Sequence, residues 1–481
     1  MKNNKLNRMQ ALFACAAICG LGAASANAAA TLIIVNGDPA GVGFNDPTVV
    51  APVGGNAGTT LGQQRLIAFQ AAADKWGATL TSVPTISIFA TFEALTCTAT
   101  GAVLGSAGAL QVFRDFPGAP IAGTWYSEAL TNKLFGANAD PTTPEIRARF
   151  NVNLGQPGCL TGVFWYLGLD ANHGTNIDLV TVLTHEFGHG LGFQTFTNGQ
   201  TGQTLANLGF PSVWDWYLKD DVSNLHWTQM TDAQRQASAL NTFHLVWDGP
   251  GVTAAAPGVL HFGVPSLVVA GPAAGVTAGS YPVGTASFGS PLSSPGTTSD
   301  IMPVVGGSTA TAGDGCVTFS AIDALAVKGN IALINRGTCT FAVKAANAQA
   351  AGAVGVLIQN NAAGSVPPGL GGADPTVVIP VGGITQNDGA KIRTALLRRS
   401  RTKSGVIGTL GVNASQLAGA NVAGLVQMFA PNPYQPGSSV SHYDTGAFPN
   451  QLMEPAINSD LTHEVTPPND MTFTLLHDIG W

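Results

Sequence analysis

Residues 176–193, NIDLVTVLTHEFGHGLGF, constrain this chain more than any other stretch. Ile177, Leu179, Val180, Val182, Leu183 and Phe187 predict a largely buried helix, with Asn176 placed to cap it and Asp178 in its first turn. Gly190 and Gly192 are natural terminators. Within the helix, His185-Glu186-Phe187-Gly188-His189 is an HExxH pattern. At 3.6 residues per turn, positions i and i+4 share a face, so both imidazoles can reach one ion at about 2.0–2.1 Å. Neutral imidazole suits zinc, which lowers the pKa of a water it holds towards ~7. Glu186, beside that axis, can take the water's proton and deliver it to a leaving amine. Three fixed residues in five also recur by accident. The apolar setting, and Gly192 at the third position after His189, favour the metal site.

Catalytic zinc usually takes three protein groups, so two histidines leave the set short. The longer pattern HExxHxxGxxH holds through Gly192 and then places Thr195 where a third His would stand. No NExxSD-like segment offers a helical Glu downstream. The remaining candidates are His173, His226, His244, His261, His442, His463 and His477.

His442 has context. Residues 437–455 read GSSVSHYDTGAFPNQLMEP, and the chain closes with TFTLLHDIGW. Ser441-His442-Tyr443, then Leu452-Met453-Glu454-Pro455, together with HEFGHGLGF and that ending, resemble the leishmanolysin-type metalloproteases. In this metzincin branch the third His lies far from the helix and a methionine turn follows it. The chain departs from the pattern in the length of segment 190–441, in Tyr443 where Trp is usual, and in having no obvious cysteine-bearing propeptide. The resemblance implies that His185, His189 and His442 hold one catalytic zinc ion, that Glu186 is the general base, and that Met453 packs beneath the metal. It also offers Tyr443 as an oxyanion stabiliser, although an aromatic beside a ligand more often packs. His463 and His477 read as surface or terminal-helix residues, with Asp470 an N-cap for the last helix and Gly480 its end.

Around this centre, Leu61–Trp76 predicts an amphipathic helix and Thr85–Phe92 a strand. Arg147–Asn153 alternates strictly and predicts a half-buried or edge strand, which at an edge could pair with an extended peptide. Asp170 and His173 share a loop that could take calcium or a second metal, although loop polarity explains both. From about His261 to about Leu397 charge is sparse and Gly, Ala and Val dominate. There Ile331–Ile334, Phe341–Ala351 and Val354–Ile358 predict a strand–helix–strand unit. The run GNIALINRGTCTF, the Lys344 helix, AGAVGV and Ile379-Pro380 resemble the protease-associated (PA) domain. That resemblance implies a lid or substrate-recruiting module without catalytic residues, and makes Arg336 and Lys344 structural or surface groups. An inserted domain also accounts for the long spacer, because one whose ends lie close together need not disturb its host. The expected architecture is α+β: a zincin/metzincin-like catalytic domain over 29–260 and 401–481, split by a PA domain over 261–400.

Lys2, Lys5 and Arg8, an apolar run over 11–24 and Ala26-Asn27-Ala28 predict a secretory signal over 1–28, cleaved near Ala28. The run falls short of the ~20 residues that span a bilayer, and no later segment looks long and apolar enough. Two of the six cysteines fall in the leader. Pairing the rest as sequence neighbours gives Cys97–Cys159 and Cys316–Cys339, each inside one domain. Twenty Lys and Arg against 27 Asp and Glu leave the chain at −7, which argues against a nucleic-acid partner. These readings point to a secreted zinc endopeptidase acting on protein or peptide. The alternative is a secreted, non-catalytic binding protein with a structural or decayed metal site. Glu186 favours the peptidase, since a structural site closes with a fourth protein ligand and has no use for a carboxylate beside the others.

Overall fold

A computed structural model describes residues 28–308, 311–458 and 460–481. The expected leader lies outside these residues but for Ala28. β1 (Leu32–Asn36), β2 (Ile86–Glu93), β3 (Gly105–Ala109) and β4 (Ile146–Asn151) form a sheet in the order β1-β2-β4-β3. The first three neighbours are parallel, and β3 runs antiparallel to β4.

Helices α1 (Leu61–Thr79) and α2 (Leu179–Leu191) pack with this sheet. Thr60 caps α1, its side chain accepting from Gln63 N. Ala68, Ala72 and Ala73 are buried on its inner face and let it come close to its neighbours. Phe69 meets Phe44, Phe150 and Phe187 edge-on, and Trp76 donates its indole N–H to the Thr184 carbonyl at 3.0 Å. The HExxH helix is thereby held rigidly between sheet and helix.

The strand read as a candidate edge, 147–153, is internal: β4 lies between β2 and β3. The edge is β3, whose sequence GSAGA carries no alternation of apolar and polar residues to mark a strand.

A second core lies in the middle of the chain. Phe262–Ala270 pairs with Ile407–Leu417 in an eight-stranded sheet, and Ile331–Asn335 runs parallel to Gly355–Gln359 around the helix Phe341–Ala350. Its apolar residues form clusters separate from the one that surrounds α2. The segment 261–400 read from sequence therefore stops short, since Ile407–Leu417 is a central strand of this sheet. Phe262 faces Leu417 across the ladder, so the chain leaves and re-enters at one place. Val426–Gln427 then joins Leu245–Trp247, completing a small sheet begun before the excursion.

Cys97–Cys159 and Cys316–Cys339 are both bridged. Lys344 is fully buried and structural: its ammonium donates to the carbonyls of Asp314 and Gly337, each at 2.6 Å, and so ties together the loops that carry Cys316 and Cys339. Arg336 donates to Asn360 Oδ1 at 2.9 Å. Among the described residues, no helix is long and apolar enough to cross a membrane.

Candidate active site

Asp178, not Asn176, caps α2, accepting from Val180 N at 3.0 Å and from the Thr181 hydroxyl at 3.1 Å. Asn176 instead accepts from Phe164 N. Gly192 ends the helix at φ +127°, a conformation side chains disfavour. Gly188, inside the HExxH pattern, leaves room for Met453: a Cβ there would lie 3.0 Å from the methionine sulfur. Met453 is fully buried against the helix beside the two histidines.

His442 comes from the far side of the inserted sheet to meet them. His189 Nε2 lies 3.2 Å from both His185 Nε2 and His442 Nε2. Each Nδ1 is 2.7 Å from a main-chain carbonyl, of Leu452, Phe193 and Ser438 respectively. A carbonyl only accepts, so every Nδ1 carries the proton and every Nε2 presents a lone pair. Burial enforces neutrality, lowering His185 to about 4, His189 to about 3 and His442 well below its ordinary value. Three lone pairs crowded at one point repel each other unless a cation lies between them. A neutral, carbonyl-oriented imidazole set is the donor chemistry of zinc. Among the described residues, this is the group of three or more His, Cys, Asp or Glu side chains whose atoms could hold an ion.

The other histidines are engaged elsewhere. His173 bonds the Asn176 carbonyl, His226 pairs with Asp248, His244 with Asp221, and His261 stands edge-on to Phe448. His477 is exposed on the last helix, α3 (Thr472–Ile479). His463 is no free surface group: half-buried, it bonds Asp178 at 2.6 Å and fastens the segment after the methionine turn to the start of α2. Asp170 accepts from the Tyr166 hydroxyl and from Asn172 N, so local bonds occupy the loop read as a calcium candidate.

Glu186 is buried beside the histidines and accepts from Ala107 N, on edge strand β3, at 2.8 Å. Burial raises its carboxyl to about 7 against the pull of that N–H. Both line a cleft of ≈ 1460 Å³ that also exposes His185, His189 and His442. Tyr443 does not serve this cleft. It is fully buried, packs on Phe193, and donates its hydroxyl to the Met471 carbonyl at 3.1 Å. The aromatic after His442 is core, which overturns the oxyanion role.

Met471, not Asp470, is the N-cap residue of the last helix, and Asp470 has another task. One oxygen accepts from Thr472 N at 2.7 Å and the other from Leu452 N at 2.6 Å, while the Leu452 carbonyl orients His185. Asp470 thus holds the peptide whose carbonyl orients the His185 ring. Loss of such an outer partner typically costs 10–100-fold in metal affinity. Asp470→Asn should weaken zinc binding by roughly tenfold in a chelator competition.

Glu454 lines the cleft, though its side chain is almost wholly buried. Burial raises its carboxyl to about 8 from an ordinary 4.5, although Gln451 N donates to it. Between those values the folded chain keeps a proton that the unfolded chain has released. The stability from this group is complete below about 4.5 and drains away as pH climbs towards about 8. Glu454→Gln should flatten that decline by on the order of 2–4 kcal/mol, read from denaturant melts at acidic and mildly alkaline pH.

Known proteins resemble parts of this chain. Residues 301–392 match the PA domain family. Leucine aminopeptidase 2 of Trichophyton rubrum is 42% identical over 67 residues, covering 14% of this chain and 13% of that protein. Aminopeptidase YwaD of Bacillus subtilis (strain 168) is 53% identical over 64 residues, 13% of this chain and 14% of the relative. The chain therefore spans about an eighth to a seventh of these relatives' length. Among solved structures, BSAP, a zinc aminopeptidase from Bacillus subtilis, is 28% identical across 32% of each chain with a TM-score of 0.23. These relatives are aminopeptidases by name, not leishmanolysin-type proteases. The matched stretches are short, and the histidine centre stands on its own geometry.

Proposed function

We propose that this chain is a secreted zinc endopeptidase of the leishmanolysin-like, metzincin type, with a PA domain inserted in its catalytic part. The three facing Nε2 atoms of His185, His189 and His442, with Glu186 beside them in an open cleft, support this reading above all. Zinc, when held there, supplies a Lewis acid that polarises a carbonyl and acidifies water. Glu186 accepts the proton of the attacking water and passes it to the leaving amine. Ala107 N–H fixes one carboxylate oxygen and leaves the other to do this, and a carboxyl near 7 suits both steps. Water is the nucleophile, so no acyl-enzyme forms.

The edge strand orients the substrate. Leu110 N bonds Glu145 O and Asn151 N bonds Leu104 O, so the main-chain groups of Gly105, Ala107 and Ala109 face away from β4. An extended peptide pairing antiparallel with Gly105, Ala109 and the carbonyl of Ala107, whose N–H stays with Glu186, enters beside Ala109 and leaves beside Gly105. At the leaving end, Leu104, Ile177, Val182, Ala456 and Ile457 make an apolar wall. Beyond them the lining is mixed, with Gln194, Thr195, Thr197, Asn198, Ser438 and Ser441 interleaved with Phe196, Leu205 and Tyr434. The leaving-group side chain is thus apolar.

An aminopeptidase needs an anion for the free α-ammonium at the entering end. The acidic groups lining this cleft are Glu186 and the buried Glu454, whose carboxyl keeps its proton up to about 8 and whose segment His463 ties to the start of α2. That favours internal cleavage. Two disulfides fit export.

Purified protein with about one zinc should cut an unfolded protein at internal bonds before apolar residues and leave aminoacyl chromogenic esters and amides intact. Release of amino-terminal residues alone would transfer the assignment to an aminopeptidase. Zinc bound without hydrolysis would favour the binding protein.

A further inference from the structure

Lys344 spends two ammonium protons on the carbonyls of Asp314 and Gly337. The third faces Cys316, whose Sγ lies 3.3 Å from Nζ. A bridged sulfur carries no hydrogen, so the ammonium is the donor in that contact. Lys344 is fully buried on the helix Phe341–Ala350, and a cation so placed needs a good acceptor for every proton. The two carbonyls meet that need, while a disulfide sulfur is a weak acceptor. A thiolate at Cys316 meets it fully.

The two ends of the bridge therefore differ. The cation touches Cys316. Cys339 is half-buried on a loop between the exposed Thr338 and Thr340, and the two residues before it line a polar hollow of ≈ 470 Å³ that leaves room for a reagent. The opposing charge is Asp314, whose carboxylate accepts from Cys316 N at 3.1 Å and from the Thr338 hydroxyl at 2.6 Å. Burial pulls the Lys344 amine below its ordinary value, and Asp314 counters that pull. The carbonyls of Asp314 and Gly337 lie 3.6 and 3.5 Å from the sulfur, and both already bind the ammonium. The other bridge has no such cation in contact. Cys97 Sγ accepts from the neutral amide of Asn151 at 2.9 Å, and Cys159 is buried.

We infer that Cys316–Cys339 is a thiol-exchange site, at which a small thiol bonds to Cys339 and Lys344 receives Cys316 as the leaving thiolate. The incoming thiolate forms an S–S bond with Cys339, and the electron pair of the old bond departs on Cys316. With a monothiol the product is a mixed disulfide. With a dithiol its second sulfur attacks that disulfide, leaving the reagent oxidised and both cysteines reduced. A neighbouring cation lowers the pKa of a thiol, and a thiol of lower pKa leaves faster. The loops stay joined through Lys344, so exchange leaves the fold in place. The inference does not depend on the peptidase reading.

The full chain is treated with glutathione and quenched with acid and N-ethylmaleimide, and the modified cysteines are located by peptide mapping. Glutathione should sit on Cys339 and maleimide on Cys316, about tenfold over the reverse pattern. An even split, or glutathione on Cys316, overturns the inference. With dithiothreitol at pH 7, Cys316–Cys339 should open about tenfold faster than Cys97–Cys159, and equal rates count against it equally. Lys344→Met keeps bulk and removes the cation. It should slow opening about tenfold, whereas loosened packing alone would speed it, so an unchanged or faster rate refutes the role of Lys344. Should that variant fail to fold, alkylation of reduced wild-type protein decides. The rate at Cys316 should reach half its maximum at least about one pH unit below the ~8.5 of an ordinary cysteine, and a smaller displacement overturns the inference.

Discussion

Glu186→Gln is expected to leave zinc content as in the wild type while lowering kcat/KM on an unfolded protein by about 10²–10⁴-fold. The separation follows from where the carboxylate stands. Glu186 is next to His185 in sequence, but its hydrogen-bond partner is Ala107 N, not an imidazole. A glutamine keeps a carbonyl oxygen for that N–H, so β3 and α2 stay docked and the three histidines keep their places. What disappears is the ability to take a proton from water and return it to an amine. Atomic absorption for zinc and peptide release from the unfolded substrate read the two effects independently. A variant with full turnover would show that another group moves the proton.

His442→Ala should produce the opposite pattern, with zinc lost first and activity following. Its ring supplies one of three lone pairs, and the carbonyls that orient the other two cannot replace it. The fall in affinity should exceed the 10–100-fold typical of losing an outer partner, and so exceed that of Asp470→Asn. His477→Ala should bind zinc as the wild type does. His463→Ala should also keep the metal, while losing up to about 1 kcal/mol through the loosened cap at Asp178. Chelator competition across the four proteins gives an ordering, and an undiminished affinity in His442→Ala would remove the third ligand from the proposal.

Much of this arrangement was legible because it is written at helical or strand spacing. The HExxH face, the α1 stripe and the strand–helix–strand unit at 331–359 all show a local period that burial then exploits. The edge strand was not, because Gly105–Ala109 consists of small residues whose place in the sheet is set by β4 and α2. Asn176 and Asp178 are both good caps, and only the tertiary demand of Phe164 N for Asn176 separates them. Tyr443 misled because adjacency to a ligand says nothing about which way a ring points. Alternate residues along the extended chain face opposite sides, so His442 looks into the cleft and Tyr443 into the core. The boundary at 400 failed because Ile407–Leu417 resembles any apolar strand, and its partner at 262–270 lies far away in sequence.

Splitting the histidines across the inserted sheet has a consequence for biosynthesis. A ribosome making this chain completes His185 and His189 early, yet His442 emerges only after the intervening strands have been delivered and can close Phe262 against Leu417. Until then the nascent polypeptide holds a two-toothed chelate and no finished blade. The three-histidine centre is thus among the last features that the growing chain can assemble.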